Sequence, residues 1–195
     1  MNLLCFVDLH GNLKKLAKLK EKAKDADIIV CAGDISQFEN NLVQLLQEFE
    51  KLKKYTLIIH GNHESEQSLH EHCKKLQYVR FIHRKVFKFK NLLFFGWGGG
   101  GFSFNDKHLE EKNHEFEKIL KGQDFIMVTH APPHNTDLDV LSMSHAGNKT
   151  FREFMDRTRP RVLVCGHLHE NEKQQQRIGR TLVINPGPEG MLVKI

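Results

Sequence analysis

The chain has 195 residues, a formal net charge of +5 and a hydrophobic fraction of 39%. That length supports one domain, residues 1–195, with a sizeable core, and leaves little room for a second. No apolar run approaches the roughly 18 residues that cross a bilayer, and Met1 to Asp8 lacks the basic start of a signal peptide. The expectation is a soluble, cytoplasmic protein with no membrane partner.

In chain order, Leu3 to Val7, Ile28 to Ala32 and Thr56 to Ile59 are short apolar runs that read as strands. Between them lie two amphipathic segments. The first is marked by Leu13, Leu16, Ala17 and Ala23, the second by Leu42, Leu45, Leu46, Phe49 and Leu52. The order β-α-β-α-β favours a parallel sheet with crossover helices. A helix over Gln67 to Leu76 is followed by a change of pattern. Val86, Phe87 and Phe89 among lysines lead into Leu92 to Phe95, a hairpin-like pair pointing to a second or mixed sheet. A charged helix over Lys107 to Leu120, a strand over Phe125 to Thr129 and a helix over Lys149 to Arg157 come next. Pro160 sets the end of that last helix. Strands over Arg161 to Cys165, Arg180 to Ile184 and Met191 to Ile195 close an α/β chain.

Cys5, Cys31 and Cys165 lie inside apolar runs and no C-x-x-C pair occurs, so they read as small buried hydrophobes rather than disulfides. The lysine bursts, Lys14 to Lys24, Lys51 to Lys54 and Arg84 to Lys90, read first as solvated faces. A positive field attracting an anionic substrate is the alternative. Nucleic acid stays open as a partner, without support from charge alone.

The polar punctuation carries the chemistry. Asp8, Asp34, Asn62, His130 and His167 each stand at or just beyond the C-terminal end of an apolar run. In α/β sheets that rim is where ligands bind, because loops from several strands converge there. The segments are Asp8-Leu9-His10-Gly11-Asn12, Gly33-Asp34, Gly61-Asn62-His63-Glu64, Thr129-His130-Ala131-Pro132 and Gly166-His167-Leu168-His169. Each couples metal-capable side chains to a glycine or proline that forces a turn. Imidazole, carboxylate and amide oxygen suit Mn, Fe, Zn or Ni. The absence of cysteine argues against a structural zinc site.

These five segments, in this order, resemble the calcineurin-like metallophosphoesterase superfamily, and by size the small single-domain phosphodiesterases of bacteria and archaea. The resemblance implies a four-layer α/β/β/α sandwich and two divalent metal ions, with Mn first and Fe, Zn or Ni as alternatives. It implies that Asp8, His10 and His169 hold one ion and that Asn62, His130 and His167 hold the other, with Asp34 shared. It further implies in-line hydrolysis of a phosphoester by a metal-bridged hydroxide, with nucleotides among the open substrates. His63 would assist the leaving oxygen as the catalytic residue, and Asn62 and His63 would also contact substrate. Glu64 would fix an imidazole or begin the next helix.

Departures narrow the branch. The Ser/Thr phosphoprotein phosphatases carry G-D-x-V-D-R-G, whereas Gly33-Asp34 continues here as Ile35-Ser36-Gln37-Phe38, and His60 stands where they place an arginine. The retromer-subunit branch has lost metal ligands, and here every ligand position is filled. A phosphodiesterase is the first reading, a phosphomonoesterase the second, and a catalytically silent metal-binding scaffold the third.

Gly98-Gly99-Gly100-Gly101 lacks the Lys-Ser/Thr ending of a P-loop. Gly99 and Gly100 are expected to approach the substrate, with Trp97 and Phe102 as stacking candidates. His60 is a candidate phosphate contact, and His134 reads equally as an outer contact or a surface residue. His70, His72, His83, His108, His114 and His145 read as surface, and Asn185-Pro186-Gly187 as a structural turn.

Overall fold

The computed structural model describes all residues, 1–195. The first half alternates strictly: β1 (Asn2–Phe6), α1 (Leu13–Lys22), β2 (Ile28–Cys31), α2 (Leu42–Glu50), β3 (Thr56–Ile58), α3 (Glu66–Cys73) and β4 (Val79–Phe81). The second half begins with the antiparallel pair β5 (Lys85–Phe89) and β6 (Leu92–Trp97). It continues through α4 (Lys107–Leu120), β7 (Phe125–Thr129), the small hairpin β8 (Val140–Leu141) and β9 (Ser144–His145), and α5 (Lys149–Thr158). It ends with β10 (Val162–Val164), β11 (Gln175–Ile178), β12 (Thr181–Ile184) and β13 (Met191–Lys194).

The strands form two main sheets, ordered β13-β1-β2-β3-β4 and β11-β12-β10-β7-β6-β5. β1 to β4 pair in parallel, as crossover helices demand. β13 returns antiparallel beside β1, with Leu3 opposite Val193, so the last strand closes the first sheet rather than extending the second.

Period-two alternation sorts each strand between two cores. Leu4 and Phe6 of β1 face α1 and α2, joining Leu19, Leu45 and Phe49, while Leu3, Cys5 and Val7 face the other sheet. There they meet Phe94, Ile126, Val128, Val164 and Ile184. The opposite residues of the second sheet, among them Phe95, Met127 and Leu163, pack on Leu109, Phe116, Phe151 and Phe154 of α4 and α5. The result is the four-layer α/β/β/α arrangement. Strands buried on both faces read as continuous apolar runs, which is why they are visible in the sequence.

Three expectations need correction. Leu13 and Ala17 are exposed, while Leu16 and, just past the end of α1, Ala23 are buried as expected and Leu19 joins them; Asn12 caps the helix start by accepting from the Lys15 amide. β4 and β11 give no sequence signal because both are short edge strands with polar residues, such as Arg80 and Gln175. His83 is buried, not superficial: its Nδ1 accepts from the Gly98 amide at 2.8 Å beneath the glycine loop. All four cysteines are free and buried. No helix is long and apolar enough to cross a membrane.

Leu19→Ala should cost about 2–5 kcal/mol through cavity formation, whereas Leu13→Ala should stay within about 0.5 kcal/mol. Urea unfolding of the two variants measures both.

Candidate metal centre

The loops that leave β1, β2, the segment after β3, β7 and β10 meet at one rim, and they carry Asp8, His10, Asp34, Asn62, His63, His130, His167 and His169. The backbone there is unusual. Asp8 (φ 56°), His10 (φ 48°), Asp34 (φ 52°) and His167 (φ 68°) are all left-handed without being glycine. Each such residue is held at a cost of order 1–3 kcal/mol, and such strain gathers where side-chain placement matters.

Asp34 is the hub. Its Oδ1 accepts from the amides of Asn62 (2.8 Å) and His63 (2.9 Å). Its Oδ2 faces His130 Nε2 at 3.5 Å, His63 Nε2 at 3.8 Å and His10 Nε2 at 4.0 Å. A Cβ at position 61 would collide with this carboxylate, so Gly61 is the residue that lets the two loops close.

Around this hub the donors fall into two groups. On one side, Asp8 Oδ2 lies 3.9 Å from His169 Nε2, and His169 Nε2 lies 3.2 Å from His10 Nε2. On the other, Asn62 Oδ1 lies 3.0 Å from His130 Nε2 and 2.9 Å from His167 Nδ1. His130 Nδ1 donates to the Ala32 carbonyl at 2.9 Å, because a carbonyl can only accept. That bond fixes the ring with Nε2 facing the site, the orientation that ligating imidazoles use once Nε2 gives up its proton to a cation.

Charge responds to this crowding. Burial would lower the His130 pKa, yet the Asp34 carboxylate holds it up at about 9. Burial likewise opposes ionisation of Asp34, but His130 and the His63 amide hold its carboxyl down at about 2. Burial raises Asp8 to about 6 and lowers His167 to about 4.

The donor set fits a pair of divalent cations. Asp8 Oδ1 is buried with no hydrogen-bond partner. Asp8, His10 and His169, and again Asp8, Asp34 and His130, place donor atoms within 4.8 Å of one another. Ligand atoms held about 2.1 Å from a cation sit roughly 3 Å apart, and Asn62 Oδ1 has that spacing from both His130 Nε2 and His167 Nδ1. Two imidazole nitrogens as close as those of His10 and His169 also need a proton or a cation between them.

Glu64 does neither task expected of it. Its buried carboxylate accepts from the amides of Asp34 (3.1 Å) and Ser36 (2.8 Å), the Ser36 hydroxyl (2.7 Å) and the Gly61 amide (3.4 Å). Glu64 therefore ties the Asp34 loop to the Gly61 loop, while Ser65 caps α3. Trp97 is buried with its indole N–H on Asp106 at 2.8 Å, so it is not a stacking platform; Phe102 is exposed against His167. Gly99 donates to the His60 carbonyl at 3.0 Å, and Gly100 packs over Ala131 and Phe151. Burial drives the His60 pKa down to about 4. His134, in the loop after β7, and His145, in β9, both face Asp139, at 3.5 and 2.7 Å, and neither is among the clustered metal-capable donors. Asn185 accepts from the Gly187 amide and its backbone ties down Lys173, a structural turn as expected. Sequence reasoning passes over Phe38, whose exposed ring lies 4.3 Å from His63; it stands four residues past Asp34, in a stretch without periodicity.

A rim of aspartates, histidines and one asparagine, shared between two sheets, has the make-up of a metal-dependent hydrolase. The model of the calcineurin-like phosphoesterase superfamily domain matches residues 1–193, and the chain belongs to that family. An uncharacterized protein of Methanocaldococcus jannaschii is 31% identical over 207 residues, covering 99% of this chain and 91% of the relative. Among solved structures, TT1561 of Thermus thermophilus is similar with a TM-score of 0.77 at 16% identity, covering 95% of this chain and 88% of that one. A dimetal phosphatase from Danio rerio is similar with a TM-score of 0.67 at 12% identity, covering 94% and 86%. By family, the chain is thus a phosphoester hydrolase.

Glu64→Gln would turn an amide N–H₂ toward backbone donors. The expected loss is about 1–3 kcal/mol of stability, with weaker metal uptake, read by thermal unfolding and metal titration.

Proposed function

We propose that the chain acts as a single-domain phosphodiesterase with two divalent ions, Mn foremost, working in the cytoplasm, where its four unpaired thiols would persist. Asp8, His10 and His169 would hold one ion and Asn62, His130 and His167 the other, with Asp34 reaching both. The observation that carries this reading is Asp34 itself, whose Oδ2 lies within 4.0 Å of imidazoles from both groups. Bound divalent ions supply Lewis acidity and lower the pKa of water.

The protein's own residues do the rest. Asn62 and His63 line the place where a phosphoryl oxygen would lie, with Gly99 and Gly100 of the glycine loop nearby as backbone contacts. As water adds to phosphorus and sheds a proton, the ester P–O bond breaks and the departing oxygen takes a proton from protonated His63 Nε2, which the proton shed by water then replaces. The products are a phosphomonoester and an alcohol. A diester is favoured over a monoester by charge: Asp8 and Asp34 pair only with imidazoles, and no lysine or arginine joins them. A dianionic monoester would gain more from such a cation than a monoanionic diester.

With added Mn, bis-p-nitrophenyl phosphate should turn over faster than p-nitrophenyl phosphate; the reverse order would indicate a phosphomonoesterase, and no turnover with Mn, Ni or Zn a silent scaffold. His63→Ala should lower kcat about 100-fold or more while both ions stay bound. Because His63 also lies with His10 and Asp34 in a group of donors within 4.8 Å, an emptied site in that variant would make it a ligand instead. Asp34→Asn should abolish binding of the pair, measured by metal analysis after dialysis.

A further inference from the structure

Two large apolar rings stand in solvent at the metal rim. Phe38 is 71% exposed and Phe102 66%, in a chain that buries most of its phenylalanines. These two rest on imidazoles of the cluster: Phe38 on His63 at 4.3 Å, Phe102 on His167 at 4.4 Å. His63 and His167 come from different loops, after β3 and after β10, so the rings serve different parts of the site.

Both rings are held out by built turns. Phe38 (φ 50°) and Glu39 (φ 61°) form the left-handed corner of a tight turn closed by the Gln37–Asn40 bridge. An aromatic residue in that region is strained, and the turn is pinned to the His63 segment: the Glu39 amide donates to the His63 carbonyl at 3.2 Å, and the Ser65 amide donates to the Glu39 carboxylate at 2.8 Å. Phe102 follows Gly99, Gly100 and Gly101, all of positive φ, in a turn closed by the Ser103 amide on the Gly100 carbonyl at 2.7 Å. Asn148 then holds the Ser103 carbonyl at 2.8 Å. Exposing two rings on strained, anchored turns disfavours the free protein, a cost offset only when something planar covers them.

We propose that Phe38 and Phe102 form a two-sided aromatic clamp selecting phosphodiesters that carry a planar aromatic group, aryl or nucleobase, on each ester arm. Phe38, beside His63, takes the departing arm; Phe102, beside His167, takes the arm that stays on phosphorus. A monoester has only one organic arm and would leave one ring uncovered. The clamp rests on the phosphodiesterase reading for the assignment of arms, but the aromatic preference can be measured apart from turnover.

The test uses the metal-loaded full chain. Calorimetry compares diphenyl phosphate with dimethyl phosphate, and steady-state kinetics compares bis-p-nitrophenyl phosphate with p-nitrophenyl methyl phosphate, whose retained arm is not aromatic. Wild-type protein should bind diphenyl phosphate about a hundredfold more tightly than dimethyl phosphate, tenfold from each ring. Phe38→Ala and Phe102→Ala should each remove about tenfold of that preference, about 1.4 kcal/mol, with metal content as in wild type. In kinetics, Phe102→Ala should cut the preference for the bis-aryl over the aryl methyl ester about tenfold. Phe38→Ala should lower kcat/KM for both esters about equally and keep that preference, and Phe38→Trp should restore the lost kcat/KM. Equal binding of the two phosphates by wild type, or variants that keep the full preference, would overturn the clamp. If neither ester turns over, the phosphodiesterase reading fails by itself, and the calorimetric comparison still decides the clamp.

Discussion

The carboxylate of Asp34 is buried at the end of β2, in a left-handed corner, with one oxygen on the amides of Asn62 and His63 and the other facing three imidazoles. A buried charge is tolerated only when it is paired and hydrogen-bonded. Satisfying this one draws the loop after β3 against the loop after β2, and brings β7's His130 across from the second sheet. Glu64 repeats the device one layer down, accepting from the Asp34 and Ser36 amides. The site's geometry is therefore set less by each ligand loop than by two buried carboxylates that stitch the loops together.

The four-layer architecture explains why that stitching holds. The facing surfaces of the two sheets form one continuous apolar core from Leu3 and Val30 to Val128 and Val164, and the strand ends of both sheets come out at the same rim. Loops emerging there start from fixed points, so short segments such as Gly61-Asn62-His63 have little freedom left to lose when they order. Packing energy collected far from the chemistry thus supports the left-handed residues at Asp8, His10, Asp34 and His167.

Crowding imidazoles and carboxylates also separates the roles of neighbouring groups. His130 and Asp34 hold each other charged, while burial and then the charge of His130 drive His167 and His60 toward neutrality. Neutral imidazole is the form that ligates a cation. The opposite tendencies arise within one small rim because His130 alone meets Asp34 Oδ2 at 3.5 Å with its far nitrogen already engaged by Ala32.

Much of this is legible in the chain itself. Continuous apolar runs reveal the doubly buried strands, and polar residues at their C-terminal ends reveal the rim, because both follow from local patterning. What patterning cannot supply is contact across sequence distance. Leu13 satisfies the helical period yet lies in solvent, since the period fixes a face but not which part of it meets the sheet. His83 looks like any surface histidine until Gly98 closes over it, and Glu64 finds its partners 28 and 30 residues away. Phe38 carries no periodic signal, and its place beside His63 exists only once the Asp34 and His63 loops are bound together. The sequence by itself determined which residue types stand at the strand ends; tertiary packing decided which of them meet, because meeting depends on pairings that no local window contains.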